Sequence, residues 1–370
     1  MRIITTAPVY RLFLLPVLCF NLVAGLAQQK PLRIGIAGLT HSHVHWIFNS
    51  ARSGSIEIVG IAEADTALAG RFIRQYHYPA EKIFPDLVTM LDATKPEAVA
   101  AFNSIAGHLG VAQTCAPRKI HVMVEKPLAV SLADAKKMQA LANTHKIHLL
   151  TNYETTWYPT VHETRRLLAD SLAGTVRKMV IHDGHQGPAE IGVNKEFLDW
   201  LTDPVQNGAG ALMDFGCYGA DMATWIMNGK RPSAVTAVTQ QIKPHKYPKV
   251  DDEATIILEY PGAQVIIQAS WNWTFSRKDL ELYGTKGIVT AVNKNTMRTR
   301  FAENKPDSVY SLPDRKAPMD DPFSFFQAVV RGTIAVPDND LSSLPVNMVV
   351  MEILDAAKRS AAAHKTITLP

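Results

Sequence analysis

The apolar positions change their rhythm about a third of the way along the chain. Residues 32–38 form a short apolar run of the kind seen in strands buried on both faces. Val44, Ile47, Phe48 and Ala51 then recur at the i, i+3, i+4, i+7 spacing of a helix, with Ser42 placed to cap it. Residues 56–62 predict a second strand and 67–76 a second helix. Further strands are expected over 97–102 and 120–124, with helices over 109–116 and 132–143. Such alternation of strand and helix predicts a doubly wound parallel sheet. Past Leu150 the runs lengthen. Residues 176–183, 234–241, 253–260 and 264–273 read as long strands, with Pro261-Gly262 as the turn between the last two. Alternation places Trp271 and Trp273 on one face and Asn272 on the other. Helices over 323–331 and 346–362 follow. The expected organisation is an α/β domain over 28–150 and an α+β domain with an open, largely antiparallel sheet over 151–370.

Residues 1–27 stand apart from this pattern. Arg2 and Arg11 precede an apolar stretch from Leu12 to Leu26, and Gly25 and Ala27 put small residues at −3 and −1 before Gln28. That arrangement predicts a cleavable signal peptide over 1–27 and an exported, periplasmic protein with no membrane span after cleavage. Fifteen or so residues interrupted by Pro16 and Asn21 are short for a bilayer span of ~20 residues. Leu18 before Cys19 argues against a lipoprotein site, and no twin-arginine pair is present, which favours export of an unfolded chain.

Composition narrows the classes further. An apolar content of 47% over 370 residues excludes a disordered chain, and three cysteines exclude a disulfide scaffold. Cleavage would leave Cys115 and Cys217, expected as free, mostly buried thiols. Without residues 1–27 the chain holds 36 basic against 34 acidic side chains, with no basic run, so no nucleic-acid partner is expected.

The first strand ends in Gly38-Leu39-Thr40-His41-Ser42-His43. Set against the dinucleotide fingerprint G-x-G-x-x-G, Gly38 is kept while Thr40 and His43 replace the other two glycines. Thr40 can offer a hydroxyl, and the following helix offers free amides to an anion. Glu63 ends the second strand, where an acid binds the adenosine ribose; a carboxylate there, with no arginine just after it, favours NAD over NADP. His41, His43 and His45 also suggest metal ligation of the barrel-hydrolase type, with His182, Asp183 and His185 as possible partners. The chain lacks the eight strand–helix repeats of such a barrel, and no metal is expected.

Two later segments carry chemistry. Glu125-Lys126-Pro127 places a lysine just past the carboxyl end of a parallel strand, where open α/β sheets bind ligands. In Asp214-Phe215-Gly216-Cys217-Tyr218, Asp214 and Tyr218 are four apart and share a helix face, with Asp221 near it. With Val250-Asp251-Asp252, Ala269-Ser270-Trp271 and Tyr283-Gly284-Thr285-Lys286-Gly287, these motifs resemble the glucose-fructose oxidoreductase / inositol dehydrogenase / MocA (Gfo/Idh/MocA) family, over nearly all of the mature chain.

The resemblance implies a Rossmann domain followed by a sheet domain that often forms an oligomer face, hence a homo-oligomer, dimer or tetramer. It implies hydride transfer between NAD and a carbon of a sugar, polyol or sugar derivative. Lys126 would contact the reacting hydroxyl and the nicotinamide ribose, Asp214 would orient the donor, and Tyr218 would stand where many members have an acid–base histidine. Gly38, Thr40, His41, Ser42, Glu63, Ser104, His108, Glu125 and Lys126 make up the expected cofactor contacts. Tyr153, His182, His185 and Asp221 make up the expected substrate contacts. The stretch from Asn152 to Pro159 lacks the arginine usual in the family. A free tyrosine, with a pKa of about 10, is a poor base at neutral pH, and a lysine ammonium beside it is expected to lower that value. Export and NAD chemistry conflict, because a periplasmic protein meets little free NAD. A cofactor retained through a redox-neutral cycle, a glycosidase working through a transient keto-sugar, and a non-catalytic sugar-binding module all stay open.

Overall fold

Six short strands build the first sheet: β1 (Leu32–Ala37), β2 (Ile56–Ala62), β3 (Ile83–Phe84), β4 (Ala98–Ala101), β5 (His121–Glu125) and β6 (Leu149–Asn152). All pair in parallel, in the order β3-β2-β1-β4-β5-β6. The chain therefore moves outward from β1 in one direction and from β4 in the other. The crevice at the carboxyl ends of β1 and β4 is the topological switch point of a doubly wound sheet. Leu32, Ile34 and Ile36 on β1 and Val99 on β4 are fully buried, as the uninterrupted apolar runs require.

This computed structural model describes residues 30–370, and Pro31–Pro370 form one unit. The expected signal peptide over 1–27 lies outside the described residues. Among those described, no helix is long and apolar enough to cross a membrane, and Cys115 and Cys217 are buried and unpaired.

The second sheet has nine strands: β7 (Val176–Gly184), β8 (Ala234–Gln240), β9 (Glu253–Tyr260), β10 (Ala263–Ser270), β11 (Arg277–Gly284), β12 (Ile288–Ala291), β13 (Thr296–Arg300), β14 (Ser308–Ser311) and β15 (Ile367–Thr368). Their order is β14-β13-β12-β11-β7-β10-β9-β8-β15, and only β7 and β10 run parallel. The helices Gly216–Ile226 and Leu344–Ala363 pack on this sheet.

Three local expectations change. Ser42 does not cap the first helix, which spans Val44–Ala51. His43 stands at the cap without a side-chain bond, because the turn is closed by Val44 N donating to His41 O. β10 stops at Ser270, so the chain bends before the two tryptophans. Trp271 turns inward and is fully buried, while Trp273 lies beside His182 and Arg277. The boundary expected after residue 150 falls inside β6, and the end of the chain returns to the first sheet. Phe323, Phe325 and Phe326 of the helix Pro322–Val330 share a core with Ile34, Ile58, Phe102 and Trp157.

Candidate active site

Gly38 begins the turn after β1 with φ +80, and a Cβ there would stand 2.8 Å from the Asn103 Cβ, so only glycine fits. Leu39 N donates to Glu63 Oε2 and Asp65 N to Glu63 Oε1, both at 2.9 Å, which fixes the carboxylate at the groove. The groove, about 720 Å³, runs between Gly38, Thr40, Glu63, Asn103, Ser104 and Trp200. Asn103 Oδ1 is buried with no partner among the described residues. An acid at the end of β2, a glycine turn and an unmet acceptor fit the adenosine half of a dinucleotide. His108 does not line this groove. It is fully buried, its Nδ1 lies 3.2 Å from Leu128 O, and burial pulls its pKa down to about 4.

The middle of the cleft holds His41, His43 and Glu125. Glu125 Oε2 lies 2.9 Å from His43 Nδ1 and 4.0 Å from His41 Nε2, and Glu125 Oε1 accepts from Asn152 Nδ2 at 2.8 Å. Burial works against ionisation of Glu125, but the two imidazoles and the Asn152 amide hold its pKa near about 2. The three ligand atoms lie within 4.8 Å of one another, close enough for a metal. The hydrogen bonding of His41 argues otherwise. Its Nδ1 accepts the His43 amide at 3.1 Å, and burial keeps the ring neutral, so the proton sits on Nε2. His41 Nε2 is therefore a buried, unpartnered N–H, not a lone pair, 4.0 Å from Glu125 Oε2.

Lys126 emerges where β5 ends. Its ammonium donates to the Asp214 carbonyl oxygen at 3.0 Å and to Asp214 Oδ1, and Trp271 Nε1 donates to Asp214 Oδ2 at 3.0 Å. Both charges are almost wholly buried. Burial alone would lower the Lys126 pKa and raise that of Asp214; their mutual attraction reverses both, and the pair stays ionised. Tyr218, near the start of the helix Gly216–Ile226, places its ring centroid 5.1 Å from Lys126 Nζ. The expected lowering of its pKa is not found. Burial, together with Glu154, Asp183 and Glu125, pushes the phenol well above its usual value, so it is protonated at rest.

These residues open on a second cavity of about 710 Å³, lined also by Ser42, His43, Glu154, Tyr158, His185 and Lys278. His185 lines it; burial lowers its pKa to about 4, and its Nδ1 accepts Gly187 N at 2.9 Å. The other expected substrate contacts lie elsewhere. His182 points to the opposite face of the sheet and lies 3.0 Å from Asp279 Oδ2. Tyr153 is fully buried behind the site and donates to Asn347 Oδ1 at 3.1 Å, and Asp221 is enclosed in the core with both carboxyl oxygens unpartnered among the described residues.

In exchange the structure brings in Glu154, which local spacing does not single out. Glu154 pairs with Lys278 and accepts from Tyr158 Oη at 2.5 Å. Asp183, one step along β7 from His182, faces inward, fully buried and unpartnered among the described residues. Burial raises its pKa well above the usual carboxylate range. Strict alternation along 176–184 is the one sequence signal that separates Asp183 from His182.

The family profile described as "Oxidoreductase family, NAD-binding Rossmann fold" matches residues 32–153, and that of the "GFO/IDH/MocA C-terminal domain" matches residues 161–290. Trans-1,2-dihydrobenzene-1,2-diol dehydrogenase of Xenopus tropicalis is 26% identical over 268 residues, 71% of this chain and 75% of its own. The human protein of that name is 24% identical over 287 residues, 76% of this chain and 80% of its own. Two solved structures share the fold. Aldose-aldose oxidoreductase from Caulobacter crescentus, complexed with glycerol, aligns with a TM-score of 0.77 at 20% identity, over 92% of this chain and 100% of its own. An inositol dehydrogenase homolog from Azotobacter vinelandii, complexed with NADH and myo-inositol, aligns with a TM-score of 0.79 at 18% identity, over 92% of this chain and 98% of its own. With both halves matched in order and the lysine, aspartate and tyrosine of its motifs gathered at one cavity, the chain belongs to the Gfo/Idh/MocA family of NAD-binding oxidoreductases.

Proposed function

We propose that this chain is an exported, NAD-dependent oxidoreductase acting at a CH–OH carbon of a sugar, polyol or sugar derivative, working as a homo-oligomer. The observation that carries the chemistry is the buried Lys126–Asp214 pair held against Tyr218 on the wall of the cavity. Gly38, Thr40, Glu63, Asn103 and Ser104 would hold the adenosine half of NAD, and Glu63 would discriminate against a 2′-phosphate. Bound NAD supplies a hydride acceptor or donor.

The chain supplies the proton chemistry and the orientation. Lys126 donates to the reacting oxygen, and Asp214, fixed by Trp271, keeps that ammonium charged and aimed. Tyr218, protonated at rest, gives its proton to a carbonyl oxygen during reduction and recovers it from the alcohol during oxidation. His185, whose Nδ1 accepts Gly187 N, provides a further donor to hydroxyls in the cavity. Relatives named for a dihydrodiol, an aldose and an inositol support a substrate whose reacting alcohol has hydroxyl neighbours.

Residues 1–27 support export through their basic start and short apolar core. The helix Lys195–Leu201 supports a retained cofactor. It lays Phe197 and Trp200 on His41, with ring centroids at 4.9 and 5.7 Å, and ties Glu196 to Arg71, so it straps the turn that would hold the dinucleotide. A retained cofactor suits a redox-neutral cycle outside the cytoplasm. The test is to denature the exported, mature protein, assay the released supernatant for NAD and NADH, and present the native protein with a panel of sugars and polyols. Near-stoichiometric cofactor that changes redox state with one of them is expected; a protein that neither carries nor binds NAD refutes the reading.

A further inference from the structure

Tyr218 is flanked by two ammonium groups, and the mechanism above uses only one. Lys126 Nζ lies 5.1 Å from the ring centroid and Lys278 Nζ lies 4.7 Å from it. They come from different parts of the fold. Lys126 follows β5 of the parallel sheet, and Lys278 is the second residue of β11, directly across from Asp183 on β7. Each is anchored by its own carboxylate, Lys126 by Asp214 and Lys278 by Glu154. Glu154 is fixed in turn by the Tyr158 hydroxyl.

We propose that Lys278, anchored by Glu154, is a positioning residue for proton transfer at Tyr218, clamping the ring with Lys126 so that the phenolate formed when the proton leaves is met by two cations. The inference rests on the oxidoreductase reading and deepens it. Every turnover passes the Tyr218 oxygen between phenol and phenolate, in a site that otherwise opposes the anion. The titratable groups around the ring are the carboxyls of Glu154, Asp183, Glu125 and Asp214, the Cys217 thiol and the Tyr153 phenol, whose ring centroid lies 5.5 Å away. None of these favours a new negative charge; the two ammoniums do. Glu154 has two opposed effects here. It holds Lys278 in place, and its own charge repels the phenolate.

Those opposed effects make the inference testable. Lys278→Met removes the cation and leaves Glu154 uncompensated, so the pH at which turnover in the alcohol-oxidising direction becomes half-maximal should rise by about one unit or more. Turnover at neutral pH should fall by about tenfold or more with KM little changed. Lys278→Arg should restore most of the profile. Glu154→Gln, whose side-chain carbonyl can still accept from Lys278, should move the profile the other way, to lower pH, because it removes the repelling charge while the cation stays in place. Ultraviolet difference titration of phenolate, with Tyr218→Phe as the reference, reads the same shifts without turnover. Failure of the functional reading would therefore show as absent NAD chemistry alongside shifted titrations. Unmoved titrations, shifts of the same sign in Lys278→Met and Glu154→Gln, or an effect confined to KM would overturn the role given to Lys278. If Lys278→Met does not fold, the Arg and Glu154→Gln variants still carry the test.

Discussion

The two ends of the cleft are built on opposite plans. At the adenosine end, backbone does the work: a left-handed glycine and amides tied to one carboxylate, close to the ends of β1 and β2. At the hydride end, buried charges do the work, gathered from segments far apart in sequence. Lys126 and Asp214 are 88 residues apart, and Lys278 and Glu154 are 124 apart. The contrast teaches how each end should fail. Damage to the first should weaken binding of a ligand, while damage to the second should weaken both the fold and the chemistry, because a buried charge that loses its partner is costly.

The largest effect is expected from Asp214→Asn, which strands the Lys126 ammonium in the interior. Denaturant unfolding should show a loss of about 3 kcal/mol or more, together with lost turnover. Tyr218→Phe tests whether fold and chemistry can be separated at that end. Steady-state kinetics should show turnover down by about 10²–10⁴-fold, with the melting temperature nearly unchanged. Full turnover in that variant would remove Tyr218 from the acid–base role.

Glu125, between the two ends, gives a pH signature. Its folded pKa, near about 2, lies below the ordinary glutamate value of about 4.3. Its contribution to stability is thus complete above that ordinary value and is lost as pH falls toward the folded one. Glu125→Gln should flatten acid unfolding over that window, measured by circular dichroism against pH. At the adenosine end, Gly38→Ala forces a Cβ toward Asn103 at positive φ. It should cost about 1–2 kcal/mol and release the cofactor, read by dialysis followed by NAD assay. Smallest of all should be His182→Ala. Because His182 faces away from the cavity, kcat and KM should stay within about twofold, in the range of an ordinary surface change; a larger change would blur the division between the ends.

What the sequence makes legible follows the same division. Gly38, Glu63 and Lys126 sit at the ends of strands, so local spacing locates them; Asp214 and Tyr218 are close in sequence, but instead of sharing one helix they end the short helix Ala211–Asp214 and open the next, Gly216–Ile226. The pairs that tune the site escape that reading. Nothing local joins Glu154 to Lys278, His43 to Glu125, or Trp271 to Asp214, because sheet register and the bend after Ser270 bring them together. Strand parity turns His182 to the opposite face and Asp183 inward. Tyr153 and Asp221 show the other limit. Polar side chains beside a motif can serve the core instead of the cavity, as Tyr153 does through Asn347.

The return of the last segment to the first sheet bears on how the chain comes to be folded at all. Ser50 meets Asp321 at a separation of 271 residues, and Phe323, Phe325 and Phe326 complete the apolar core that β1, β2 and β4 begin. A ribosome delivers the nucleotide-binding half first, but that half cannot close its interior until nearly the whole polypeptide has emerged. Contacts of such long range make for slow folding. The same delay predicts that a fragment ending near residue 150 would leave apolar surface exposed and aggregate, so the two halves are one folding unit.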